Sequence, residues 1–302
     1  MRWRGHRQSD NVEDRRSTRA SGAGGVQGGG MLRLLPMAFR LLGFKGTAIL
    51  VVCVGAYGLI TGNLGSLLGG LGVQGTTTGM STGPLRETAE EAELVDFVSV
   101  VLADTEETWT TLFEQRGQTY EEPRLVLFRD SVSSACGMAQ SAIGPFYCPG
   151  DRQVYIDLGF FDQLRDRFNA PGDFAQAYVI AHEVGHHIQT LTGVSRTVSA
   201  ASRRVSEVDA NRLSVMQELQ ADCLAGVWAN HASSRRQMLE AGDVEEGLAA
   251  ASAIGDDTLQ KQAQGYASPD SFTHGSSAQR VQWFTTGLER GDMDSCDTFK
   301  EP

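Results

Sequence analysis

The stretch Asp173-Phe174-Ala175-Gln176-Ala177-Tyr178-Val179-Ile180-Ala181-His182-Glu183-Val184-Gly185-His186-His187-Ile188-Gln189-Thr190-Leu191-Thr192-Gly193 decides how the chain is read. Pro171-Gly172 interrupts the chain before it, Asp173 is placed to cap the first amides, and Gly193 offers a left-handed stop. Ile180, Val184, Ile188 and Leu191 recur at three- and four-residue steps, which predicts an amphipathic helix laid on a core. His182 and His186 lie one turn apart, off that stripe. The pattern is His-Glu-x-x-His: two imidazoles converge on one zinc ion, and Glu183 stands beside them to take a proton from water. Gly185 has no side chain and is expected to leave the metal face open. His187 lies about 100° further round the helix, so it is expected outside the ligand set, as a supporting or surface histidine.

A catalytic zinc needs a third protein ligand. Glu218-Leu219-Gln220-Ala221-Asp222-Cys223 supplies candidates, with Glu218 and Asp222 one turn apart on a helix whose neighbouring face is apolar. Zinc for Glu218 and a ring N–H of His182 or His186 for Asp222 would compensate their burial. The competing reading is a helix surface with two solvated acids. His231 and His274 are the other downstream candidates.

Charge divides the chain. Up to Lys45 there are nine Lys or Arg against three acids, a net of +6, which leaves −17 for the rest of a chain whose total is −11. Such an acidic remainder would repel a polyanion, so no nucleic-acid partner is expected. No charged residue occurs from Gly46 to Leu85, and the apolar run from Thr47 to Ile60, with the milder Thr61 to Leu71, exceeds the ~20 residues that span a bilayer. Some 45 leading residues argue against a cleaved signal peptide. The expectation is a basic cytoplasmic segment 1–45, a single transmembrane helix 46–71, a Gly/Thr/Ser linker 72–85 and a zinc domain 86–302. The basic flank then puts the N-terminus inside, and the catalytic domain outside, the cytoplasmic membrane of a bacterium, with membrane lipid as a partner.

Within the domain, Leu94, Phe97, Val98, Val101, Leu102, Trp109, Leu112 and Phe113 predict a long core-packing helix. Arg124–Phe128 reads as a strand. Gly144–Cys148 and Gln153–Asp157 flank Pro149-Gly150-Asp151 as a hairpin, and an edge strand there can hold an extended peptide across the metal. Phe160–Phe168 reads as a short helix. Beyond Cys53, four cysteines allow three pairings. Cys136 and Cys148 bracket a short loop and are placed to clip the hairpin, and Cys223 with Cys296 would tie the tail to the second helix; free buried thiols are the alternative.

His182-Glu183-x-x-His186 followed by Glu218-x-x-x-Asp222 resembles the gluzincin pattern of zinc peptidases. More narrowly, the chain resembles the bacterial neutral zinc metallopeptidase family. The likeness is carried by Arg2-Trp3-Arg4-Gly5, Asn11–Arg16, Gly144–Pro149, the zinc helix, Glu218–Cys223 and Asp270–Gly275. The resemblance implies a zincin-like α+β fold, one zinc per chain and membrane anchoring, and names no substrate. Thr273-His274-Gly275…Arg280 is similar to the Thr-His-Pro…Arg segment of membrane-associated zinc proteases of the prenyl-protein and heat-shock type, with Gly275 where they have Pro. By that likeness His274 donates to the oxyanion of the reaction; otherwise it is a loop histidine capping the helix that follows. The function expected is a membrane-anchored zinc endopeptidase with His182, His186 and Glu218 as ligands and Glu183 as base. The alternative is a catalytically silent, zinc-stabilised scaffold, which would need no free carboxylate beside its metal.

Overall fold

A computed structural model of the protein describes residues 1–17, 87–141 and 144–300. Met1–Arg19 and Leu85–Pro302 form one compact unit; the other unit, Ala20–Pro84, lies outside the described residues.

The chain opens with β1 (Val12–Asp14) and, after the break, enters α1 (Ala89–Glu114). Thr88 starts α1 through a reciprocal capping box with Glu91. Then come β2 (Arg124–Phe128), the hairpin β3 (Ser131–Ser134) and β4 (Gly137–Gln140), β5 (Phe146–Cys148) and β6 (Gln153–Asp157). The remaining helices are α2 (Gly159–Asp166), α3 (Asp173–Leu191), α4 (Val194–Ser202), α5 (Glu207–Ser234), α6 (Asp243–Ala253), α7 (Asp256–Gln264) and α8 (Ser277–Arg290).

Four strands make a mixed sheet in the order β1-β2-β6-β5, with β1, β2 and β6 parallel and β5 antiparallel to β6 at an edge. Alternation along the strands sorts their side chains. Leu125, Leu127, Val154 and Ile156 join the main core with the helices, whereas Val126, Phe128 and Tyr155 meet Val132 and Ala139 of the β3–β4 hairpin. Both faces are covered, which is why β2 reads as an uninterrupted apolar run.

Helix α3 crosses this core with Ile180, Val184 and Ile188 buried. Its first turn differs from expectation. Gly172 is the N-cap, and Asp173 is already helical and pairs with the Met1 ammonium at 2.9 Å. The Phe174 amide donates instead to Glu246 of α6. Gly185 also has another reason to be glycine. A methyl there would sit 3.0–3.3 Å from the backbone and side chain of Ala221, so Gly185 lets α3 and α5 approach closely. At Gly226 of α5 and Gly287 of α8 a methyl would overlap the opposing backbone. The helices therefore meet at main-chain distance.

The α+β architecture agrees with expectation, but the membrane-spanning helix does not stand. Among the described residues no helix is long and apolar enough to cross a membrane; residues 46–71, on which the expectation rested, lie outside the described residues. The packing also opposes the single-pass arrangement. Val12, Glu13 and Asp14, assigned above to a cytoplasmic arm, pair with Leu125, Val126 and Leu127. One crossing between them would put two hydrogen-bonded strands on opposite sides of a bilayer. The placement with the N-terminus inside and the catalytic domain outside is accordingly withdrawn, and the lipid partner had no other support.

Candidate metal centre

Helical spacing brings His182 and His186 to one face of α3, where their rings meet edge to face at 4.8 Å. Opposite them α5 presents Glu218, with Oε2 3.1 Å from His182 Nε2 and Oε1 3.5 Å from His186 Nε2. These donor atoms all lie within 4.8 Å of one another. Ligands about 2.0–2.1 Å from a tetrahedral zinc stand about 3.3 Å apart, so the donor set fits that ion in chemistry and in spacing.

Each imidazole is turned by a partner on its far nitrogen. His182 Nδ1–H donates to Asp222 Oδ1 at 2.8 Å, and His186 Nδ1–H to Gln189 Oε1 at 2.9 Å. Gln189 is fully buried and donates from its own amide to Gln217 O at 2.6 Å and Gln220 Oε1 at 3.1 Å, which fixes its oxygen toward His186. Asp222 is fully buried as well, and Arg280 grips it bidentately, Nε to Oδ2 and Nη2 to Oδ1, each at 2.9 Å. The Tyr178 hydroxyl donates to the same carboxylate and accepts from Arg280 Nη2 at 3.1 Å. Outer partners of this kind orient metal-binding histidines.

The charges are consistent with a cation site. Burial alone would raise Glu218, but His186 and His182 hold it well below the carboxylate range. Burial would likewise raise Asp222, yet Arg280 and His182 bring it to about 2. Burial opposes a charge on His182, but Asp222 and Glu218 push it up to about 10. The same negative field favours a divalent ion over a proton. Glu183 behaves in the opposite way. Burial raises it despite both histidines, and among the described residues its carboxylate accepts no hydrogen bond.

The centre lies in a cleft of about 490 Å³ that is also lined by Gly144 and Pro145, by Phe146 and Tyr147 of β5, and by Ser195, Gln217 and His274. His274 is brought to the cleft by an anchor, Asp256, that no local pattern announces. Asp256 Oδ2 accepts the backbone N–H groups of Thr273 (2.7 Å), His274 (2.6 Å) and Gly275 (3.1 Å), and Oδ1 lies 3.4 Å from His274 Nδ1. The hydrogen bond to Asp256 raises the His274 pKa against the opposing effect of burial. His231 is elsewhere, buried with Nε2 2.9 Å from Gly291 O.

His187 is fully buried, between the Tyr147 hydroxyl at 3.1 Å and Glu121 O at 2.6 Å. It ties β5 to the metal helix. Two disulfides are formed, Cys136–Cys148 from the β3–β4 turn to the end of β5 and Cys223–Cys296 from α5 to the tail. Gln189, Tyr178, Arg280 and Asp256 escaped assignment from sequence. The signal for Gln189 was its spacing, one turn beyond His186 on the same helix.

Residues 1–299 match the family described as "Putative neutral zinc metallopeptidase". The uncharacterized protein YpfJ of Escherichia coli (strain K12) is 48% identical over 299 residues, 99% of each chain. An uncharacterized protein of Mycobacterium tuberculosis (strain ATCC 25618 / H37Rv) is 44% identical over 190 residues, 60% of this chain and 63% of its own. No solved structure matches. The chain belongs to this zinc metallopeptidase family.

Proposed function

We propose that this family member hydrolyses internal peptide bonds, with one zinc ion held by His182 Nε2, His186 Nε2 and the Glu218 carboxylate. The observation that carries the reading is Glu183: a buried carboxylate beside three candidate ligands, with its pKa raised by burial and, among the described residues, no hydrogen-bond partner of its own. A site that used zinc for stability alone would have no need of it. In a second acidic group, Asp173 and Asp243 are paired with the Met1 ammonium and Glu246 accepts from the Phe174 amide, so one ion per chain is proposed.

Zinc in this position supplies a Lewis acid that acidifies water and polarises a carbonyl. Glu183 then does the proton work. Its carboxylate takes a proton from water and returns it to the departing amide nitrogen, for which a raised pKa is suited. His274, steered by Asp256 at Nδ1, has Nε2 left to donate to the developing oxyanion. Asp222 and Gln189 keep the two ligand rings in register. β5 offers its outer edge to an extended peptide. Apart from the two candidate ligand histidines, the cationic side chains among the described residues of the cleft lining already face carboxylates, Arg280 with Asp222 and His274 with Asp256. That pairing favours internal bonds over recognition of a terminal carboxylate.

The test is Glu183→Gln, which keeps shape and removes basicity. The variant should retain wild-type zinc by plasma emission and lose ~10²-fold or more of the peptide cleavage rate, whereas Glu218→Gln should lose zinc itself. Full activity in Glu183→Gln at matched zinc would overturn the mechanism.

A further inference from the structure

The cleft contains a feature that the metal chemistry does not use. Phe160 on α2, Phe168 just beyond it, Val179 on α3, and Ile254 and Leu259 at the α6–α7 corner line the same cavity as His182, Glu183 and His186. Phe160, Phe168, Ile254 and Leu259 are only partly buried. Apolar surface kept in contact with water is unfavourable roughly in proportion to its area, and gathering it in one recess marks a place for an apolar ligand.

The recess is in register with the chemistry. Val179 and Glu183 are four residues apart on one helix, so their Cβ atoms are about 5–6 Å from each other. A side chain flanking a bond that meets Glu183 therefore falls on Val179. The α6–α7 corner serves both ends of this arrangement, since Ile254 and Leu259 flank Asp256, the anchor of His274. Phe160 also reaches the approach to β5: a methyl on Gly144 would stand 3.4 Å from its ring. An extended peptide lying along β5 thus passes the aromatic side of the recess.

We propose that this recess receives one large apolar side chain, of the Phe, Leu or Met class, adjacent to the bond to be cut. The inference rests on the peptidase reading of the same site. It narrows the substrate class to extended segments that expose residues normally held in protein cores. Unfolded or partly unfolded chains offer such segments, and well-packed surfaces do not.

Two measurements on the full chain separate this inference from the reading beneath it. First, zinc-loaded protein is incubated with a mixed peptide library, and the residues flanking each cut are read by mass spectrometry. Second, fluorescein-labelled peptides that differ only in a central Phe or Asp are titrated by anisotropy into Glu183→Gln, where binding is seen without turnover. Cuts should cluster beside Phe, Leu and Met, and the Phe peptide should bind about ten-fold or more tighter. Leu259→Glu, at a partly buried position, and Phe168→Ala should each shrink that ratio. Preferred binding of the Phe peptide without any cleavage would sink the peptidase reading and leave the recess standing. Cleavage with no apolar preference, or equal or absent binding of the two peptides, would overturn the recess.

Discussion

On the helical side of the cleft, α3, α5 and α8 meet at backbone distance through Gly185, Gly226 and Gly287, and a buried Arg280–Asp222 pair fills the seam beside His182. On the sheet side, β5 stands at an edge, held by β6, by the Tyr147–His187 hydrogen bond and by the Cys136–Cys148 disulfide. Each wall has one disulfide, yet the two are built differently. The helical wall has no slack, because neighbouring main chains leave no room to shift, and its buried charges need their partners. The rim has few tethers and a free edge. A metal centre requires the first kind of wall and a peptide channel requires the second, since ligand spacing tolerates little error while an entering chain needs room.

The largest effect is expected where the helical wall is breached. Arg280→Ala would leave the Asp222 carboxylate buried without its cation, a loss of about 3–5 kcal/mol. Asp222 would then hold the His182 ring less well, so zinc affinity should fall about 10–100-fold. Arg280→Lys restores charge without the bidentate grip and should recover stability in part but not the zinc affinity. Thermal melts and competition with a fluorescent zinc chelator check both. Equal zinc affinity in wild type and Arg280→Ala would show that His182 is oriented by something other than this network.

The contrast between the walls also marks how far the sequence could be read. The metal helix, the strand β2, the β5–β6 hairpin and the Glu218–Asp222 helix follow from local patterns, because each signal spans one or two turns or a single run of alternating residues. β1 was missed for the opposite reason. It has three residues, two of them acidic, and becomes a strand only by pairing with β2 across more than a hundred residues of chain. Composition assigned it to a charged arm, and the apolar run after Lys45 then suggested a topology that this pairing contradicts. Gln189 and Arg280 were hidden similarly. Spacing from His186 and the place of Arg280 at the end of the Thr273–Arg280 segment mark the two positions, but only the fold shows that one meets a ligand ring and the other the Asp222 carboxylate. Gly185 was noticed, but its role in the approach of α3 to α5 was not, since close helix approach cannot be seen on one helix alone.

A smaller effect is expected at the rim. Tyr147→Phe removes the hydroxyl that meets His187 Nδ1 and should cost about 1 kcal/mol, read as a melting shift of a few degrees. Zinc content should not change, because His187 is not among the converging donors. Peptide affinity should weaken as β5 loosens from α3. Should Tyr147→Phe instead lose zinc as readily as Arg280→Ala, the division of labour between the walls would collapse.

The smallest effect concerns the chain between the walls' common foundations. Arg16 Nη2 donates to Glu87 at 2.6 Å and also to Asp14 at 2.7 Å, so the described chain leaves and re-enters the fold at one spot. Both walls belong to the unit built from Met1–Arg19 and Leu85–Pro302. A linker of about six Gly and Ser residues can reach about 20 Å, enough to join ends that an ion pair already holds together. Replacing residues 20–84 with it should leave zinc content and peptide cleavage unchanged. Stability should not fall, because the entropic cost of closing a loop declines by about 0.6 kcal/mol for each halving of its length. Loss of zinc after the replacement would mean that the helical wall draws on the removed segment. Loss of peptide binding with zinc retained would place that dependence at the rim, where β1 and β2 share the sheet with β5.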